Sequence, residues 1–243
     1  MAADDYQGAA DALLARRLGA HRAYVLYEGT DYGRGIAVDF IRAAHRLGIA
    51  IVGSGRWVEK AANYHALAAK IADRGAQALF IGGSLADNGA TLIRDLRAGL
   101  GPSVHLIASD GFAPASDTIA VVGSAAEGLT VSAADTPVEL LPSVGRRFVA
   151  AYRRAVGEEP SGFAIYAAQA TNMLLDAIAR SDGTRASVIR ELFRTKVSGG
   201  ILGSFSISPT GDTTQNSVTI TQVRKGHPVT LAVIAPPAKL VRP

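Results

Sequence analysis

The chain has 243 residues, 48% of them hydrophobic and 19% charged, so it is long enough and apolar enough for one large or two modest cores. Its 25 Lys and Arg against 21 Asp and Glu leave a net charge of +4. The bases are scattered along helical segments beside acids, with no clustered run, which argues against nucleic acid as a partner. There is no cysteine, which excludes disulfides, thiol catalysis and zinc–thiolate sites.

Residues 1–131 repeat one rhythm. A helical pattern from Gln7 to Leu18 precedes the strand-like run Ala23–Tyr27. Further strand-like runs follow at Ile49–Gly53, Ala78–Gly82, His105–Ser109 and Gly128–Ser132. Between them the apolar spacing predicts helices over Gly35–Leu47, Tyr64–Arg74, Asn88–Leu100 and Ala113–Val122. Strands alternating with helices imply right-handed crossovers, hence an α/β fold with a doubly wound parallel sheet of five strands. The runs are almost wholly apolar, as a sheet covered on both faces requires.

The rhythm breaks after residue 131. From Pro137 to Thr195 the pattern predicts only helices, at about Leu141–Val156, Phe163–Arg180 and Thr184–Thr195, with Thr184 as an N-cap. Then come "GSFSIS", "SVTITQV" and "TLAVIA", with "PTGD" read as a turn between two alternating strands. The tail "APPAKLVRP" is expected to fray. Three amphipathic helices without a sheet pose a packing problem. They either fold back on the first domain or belong to a second domain whose sheet lies elsewhere.

The segments "DYGRG", "NYHALAAKIADRGAQALFIGG", "LIASDGFAP", "AEGLTV", "YAAQATNMLLDAIARS" and "GILGSFSISPTGD" occur in that order. Together, over about Gln7 to Val223, the chain resembles the type I periplasmic binding proteins of the branched-chain amino acid (Leu/Ile/Val) receptor-like group. In that family two α/β lobes close on a small solute, and the chain crosses between them three times. The resemblance implies that residues 1–131 are the second lobe and 135–202 are helices of an incomplete first lobe. Residues 203–235 would be closing strands that cross between lobes, and 236–243 a tail. It also implies that the first-lobe sheet, with the side of the cleft that grips a ligand carboxylate, precedes Met1 in the family.

In a doubly wound sheet ligands sit at the carboxyl ends of strands. Three loops there carry candidates. In the first, "YEGTDYGRG", Gly33 and Gly35 suggest a cofactor loop. A dinucleotide fingerprint, however, would want glycine at Val38 and an acid at Gly53, so no cofactor is expected. The resemblance puts Tyr32 at the solute; the alternative is a tyrosine packed over the helix start. In the second, "GGSLADNG", Ser84 is a hydrogen-bonding wall residue or a helix N-cap. Ser84, Asp110 and His227 follow the chain order of a hydrolase triad, but Ala86 breaks the elbow pattern.

The third loop, "SDGF", carries Asp110 and Gly111. The resemblance sets Asp110 against a ligand ammonium, a role that suits a carboxylate because a desolvated cation must be paired. The alternative is an Asx-turn or cap. Phe112 is read as an apolar wall, and Trp57 as either a lid or a packing residue.

No catalytic constellation and no metal site are expected; His21, His45, His65, His105 and His227 lie far apart without ligand spacing. The first reading is therefore a solute-binding domain for ABC transport, with an amino acid or related small molecule as ligand and a transporter permease as a partner of its parent. The second is a ligand-sensing domain fused to a signalling or transcriptional module. The third is an α/β hydrolase. A transport-type parent would be extracytoplasmic and a regulatory fusion cytoplasmic. The opening residues, acidic then amphipathic, do not read as a signal peptide.

Overall fold

The structure, a computed structural model, describes residues 1–241. The chain divides into two compact units. One comprises Asp4–Ala134 with the chain from Val218 onward; the other comprises Met1–Ala3 with Asp135–Ser217.

The first unit is doubly wound. Its elements in order are α1 (Asp4–Arg17), β1 (Arg22–Tyr27), α2 (Asp31–Arg46), β2 (Ala50–Arg56), α3 (His65–Asp73), β3 (Ala78–Gly82), α4 (Gly89–Leu100), β4 (His105–Ala108), α5 (Ala115–Val122) and β5 (Thr130–Ala133). The strand order is β2-β1-β3-β4-β5, all parallel, as the alternating pattern predicts. Helices α1 and α2 pack together, and α3, α4 and α5 form the second layer. β3 is buried along its whole length. Phe80 turns to one side and stacks on Phe40 of α2, ring centroids 4.5 Å apart. Leu79 and Ile81 turn to the other and join Leu92, Ile93 and Leu96 of α4. That two-sided burial is why the strand reads as an unbroken apolar run.

Two strands extend this sheet beyond the expected five. β8 (Val218–Arg224) pairs antiparallel with β5, and β9 (His227–Ile234) pairs antiparallel with β8. Their hairpin turns through Lys225 and Gly226, both with positive φ, the backbone a two-residue turn between twisted strands requires. The tail does not fray up to Val241. α9 (Ala238–Val241) docks in the first unit with Leu240 and Val241 buried, and Arg46 donates to the Lys239 carbonyl at 2.9 Å. The apolar pair in "KLV" finds a place against the core, which outweighs the prolines before it.

The second unit holds α6 (Ser143–Val156), α7 (Gly162–Arg180), α8 (Arg185–Phe193), β6 (Lys196–Gly200) and β7 (Gly203–Ser206). Thr184 caps α8, accepting from the Ser187 N–H at 3.2 Å. The β6 strand, missed in a Ser/Gly-rich stretch, pairs antiparallel with β7. The "PTGD" turn therefore does not join two paired strands. It closes one local bridge, Ile207 to Thr213, after which the chain leaves for β8. The chain passes out of this unit after Ser217.

The helices of this unit are not wholly without a core. Leu141, Val149, Ile165, Met173, Ile201, Leu202 and Phe205 cluster together. Only one stripe of α7 enters that cluster; Phe163, Leu174, Leu175 and Ile178 stay exposed, Leu175 at 59%.

Candidate functional site

The sheet order reverses at β1 and β3. The chain leaves β1 toward β2 on one side and continues from β3 toward β4 and β5 on the other. The loops after β1 and β3 diverge there, and the crevice they leave is where doubly wound folds hold ligands. Tyr32 follows β1, Ser84 follows β3, and Asp110 follows β4, the next strand.

α2 begins at Asp31, earlier than the apolar spacing alone suggests. Thr30 caps it by accepting the Gly33 N–H at 3.1 Å. Tyr32 is thereby fixed in the first turn. Its hydroxyl donates to Asp110 Oδ1 and approaches Ser109 Oγ at 3.0 Å. Burial, then the Asp110 charge, raises the phenol above its ordinary range, so Tyr32 remains a donor.

Asp110 opens a 3-10 turn, Asp110–Phe112, and is half-buried. Its charge also reaches the start of α1. Asp4 and Asp11 have carboxyls raised first by burial and further by Asp110.

Gly111 is a steric requirement. A Cβ there would meet the Gly83 carbonyl oxygen at 2.1 Å, and Leu85 N–H donates to the Gly111 carbonyl at 2.9 Å. The loops after β3 and β4 lie backbone on backbone. Ser109, fully buried, stitches them further: its hydroxyl accepts the Gly83 N–H at 3.1 Å.

Ser84 is half-buried, and its Oγ accepts the Ala86 N–H at 3.2 Å. It closes a local turn rather than capping α4, whose N-cap is Asn88. His227 begins β9 on an exposed position. Phe112 does not form a solvent-facing wall. It is 0% exposed within the first unit's core, against Gly89, because its loop turns the ring inward. Trp57 is likewise 1% exposed, its indole N–H donating to the Asp87 carbonyl at 2.9 Å, which makes it a packing residue.

Two residues of the site were not singled out in the sequence: Glu28 and Ser109. Glu28 is 3% exposed, and its Oε2 accepts the Ser84 N–H at 2.7 Å. Burial first, then the hydrogen-bonded Asp87, raises its carboxyl. The available signal was an acid directly after a buried strand. Ser109, at the end of β4, had no signal beyond its neighbour Asp110.

Among the described residues no cluster of three His, Cys, Asp or Glu side chains is placed to hold a metal. No described helix is long and apolar enough to cross a membrane. A cavity of about 500 Å³ opens on the second unit, lined in part by Gln169, Asn172, Arg180 and Thr195; none of the candidate residues contributes to it.

Polar side chains from three adjacent strand ends stand at a topological switch point, the place where doubly wound α/β domains hold ligands. The sequence profile of the periplasmic binding proteins matches residues 1–228, and the chain belongs to that family of solute-binding proteins. Its fold is that of a leucine binding protein from Thermotoga maritima, with 30% identity, a TM-score of 0.85, and coverage of 96% of this chain and 66% of that one. An ABC transporter substrate-binding protein from Desulfitobacterium hafniense, in complex with Leu, matches at 25% identity and a TM-score of 0.77, covering 94% and 65%. A solute binding protein of an ABC transporter from R. palustris, in complex with 4-hydroxybenzoate, shares the fold at 17% identity and a TM-score of 0.80, covering 96% and 66%. The chain thus spans just under two thirds of these proteins' length. No curated protein matches it.

Proposed function

We propose that the chain is the larger part of an extracytoplasmic solute receptor for ABC transport, and that it grips an amino-acid-like solute at the carboxyl edge of its seven-stranded sheet. The observation that carries this reading is Asp110. Its carboxylate is half-buried and oriented by Tyr32 through one oxygen. A site built this way pairs with a solute ammonium, which returns a charge-assisted hydrogen bond for the lost hydration. The Ser84 hydroxyl and the Gly111 backbone complete the polar side of the grip. Phe112 supports it from beneath.

The leucine-bound and leucine-binding relatives support an α-amino acid over an aromatic acid, since they are the more similar in sequence. The resemblance further suggests that α6, α7 and α8 belong to the partner lobe of such a receptor and that a transporter permease receives the solute. The receptor performs no covalent chemistry on it. Calorimetric titration with L-leucine, L-isoleucine and 4-hydroxybenzoate tests the reading. Binding of an amino acid that is lost when its ammonium is removed, as in isocaproate for leucine, supports it. Binding of benzoates alone sinks the amine assignment.

A further inference from the structure

The three site loops are joined by a chain of hydrogen bonds that begins at one buried acid. Glu28 directly follows β1 and is 3% exposed. Its Oε1 accepts the Thr30 hydroxyl at 2.5 Å, and Thr30 in turn accepts the Gly33 N–H at 3.1 Å. Those contacts hold the N-terminus of α2, which carries Tyr32. Its Oε2 accepts the Ser84 N–H at 2.7 Å. From Ser84 the backbone leads to Gly83, whose N–H meets Ser109 Oγ, and Ser109 Oγ meets the Tyr32 hydroxyl at 3.0 Å. The path returns to α2 and closes.

The surroundings allow Glu28 little freedom. A Cβ on Gly33 would lie 2.5 Å from Glu28 Cγ, and one on Gly83 would lie 2.7 Å from Glu28 Oε2. Both glycines make room for this side chain. Without an acceptor at Glu28, the Ser84 N–H loses its partner, and Ser84 and Tyr32 lose their common anchor.

We propose that Glu28 is the positioning residue of the binding site: its carboxyl group locks the loops after β1 and β3 together and so places Ser84 and Tyr32 for the solute. The proposal rests on the solute-binding reading above. Glu28 acts by its reach and by the acceptor it offers the Ser84 N–H; it does not touch the solute. Its elevated carboxyl range, set by burial and by Asp87, accords with a role that does not depend on charge.

That distinction gives the test. L-leucine is titrated against the full chain and the variants Glu28→Leu, Glu28→Asp and Glu28→Gln, with folding followed by circular dichroism. Glu28→Leu, which has no acceptor, weakens binding about tenfold or more, the scale of one lost hydrogen bond to a buried donor. Glu28→Gln keeps the reach and an acceptor and rescues binding to within about threefold. Glu28→Asp keeps the charge but withdraws it by one methylene, and binds more weakly than Glu28→Gln. In a Ser84→Ala background the loss from Glu28→Leu shrinks, because the two residues act on one interaction.

Equal binding by the parent and a folded Glu28→Leu overturns the positioning role and leaves the function reading standing. An undiminished loss in the Ser84→Ala background also overturns it. Should Glu28→Leu fail to fold, the Gln and Asp variants decide: Asp binding as well as or better than Gln overturns the proposal. A parent chain that binds no leucine overturns the amino-acid reading and this proposal with it.

Discussion

The Tyr32 hydroxyl donates to the Asp110 carboxylate, joining the first turn of α2 to the loop after β4, residues that lie 78 positions apart in the chain. One oxygen of Asp110 is thereby held; on the proposed reading the other meets the solute. If the solute is an amine, Asp110→Asn leaves its ammonium without an anionic partner and weakens binding by about 2–5 kcal/mol, the range for truncating one member of a buried charge pair. Ser84→Ala removes a neutral hydrogen bond and costs about 0.5–1.5 kcal/mol. Calorimetry with L-leucine checks both. A folded Asp110→Asn chain that binds as tightly as the parent makes Asp110 a turn residue only.

Gly111→Ala places a methyl carbon on the Gly83 carbonyl oxygen, which sits at 2.1 Å from the ideal Cβ position. Backbone opposes backbone there, so no side-chain rotation relieves the clash. The expected loss is about 1–3 kcal/mol of folding stability, as for other overpacked sites. Urea denaturation reads it. An unchanged midpoint would mean that the two loops are not in contact in solution.

Asp11 is fully buried, accepts the Ser132 hydroxyl at 2.9 Å on one oxygen, and has its carboxyl raised well above the ordinary 3.8 by burial first and the Asp110 charge last. A raised carboxyl binds its proton more tightly in the folded state than in the unfolded chain. Its contribution is fully present below about pH 3.8, the unfolded value, and is lost as pH rises through the folded value. Asp11→Asn should therefore flatten the decline of stability with rising pH above that point. Denaturation curves at a series of pH values check this; parallel profiles for parent and variant would refute it.

α7 carries a second apolar stripe, Phe163, Leu174 and Ile178, that its own unit does not cover. Exposed apolar surface of this kind drives association. The chain in isolation is expected to self-associate at high concentration. Replacing Leu174 and Ile178 with serine should shift it toward the monomer. Sedimentation velocity measures both, and a monomeric parent at high concentration would contradict the expectation.

Most of the first unit was legible in the sequence because its strands are buried on both faces. Ala78–Gly82 was recovered at its full length for that reason, and Thr184 because capping is a local hydrogen bond. Where the chemistry was non-local the reading fell short. The run "KVSGG" carries no strand pattern and becomes β6 only because β7 lies beside it. The tail looked like a coil until Leu240 and Val241 found the first unit's core.

For the site, the sequence by itself determined which loops meet at the strand ends. Topology follows from the alternation of elements, and Tyr32, Ser84 and Asp110 each stand just after a strand. Which side chains face outward was decided only by the tertiary structure. Phe112 and Trp57 are the same kind of residue in the same kind of loop as a ligand wall, yet packing turned both inward. Glu28, an ordinary acid in the chain, gained its place because the Ser84 N–H, the Thr30 hydroxyl and two glycines converge on it from separate strand ends. Periodicity reports what each residue does to its own element. The partner of a buried polar group is set by whatever the fold brings within 3 Å of it, roughly the length of one hydrogen bond.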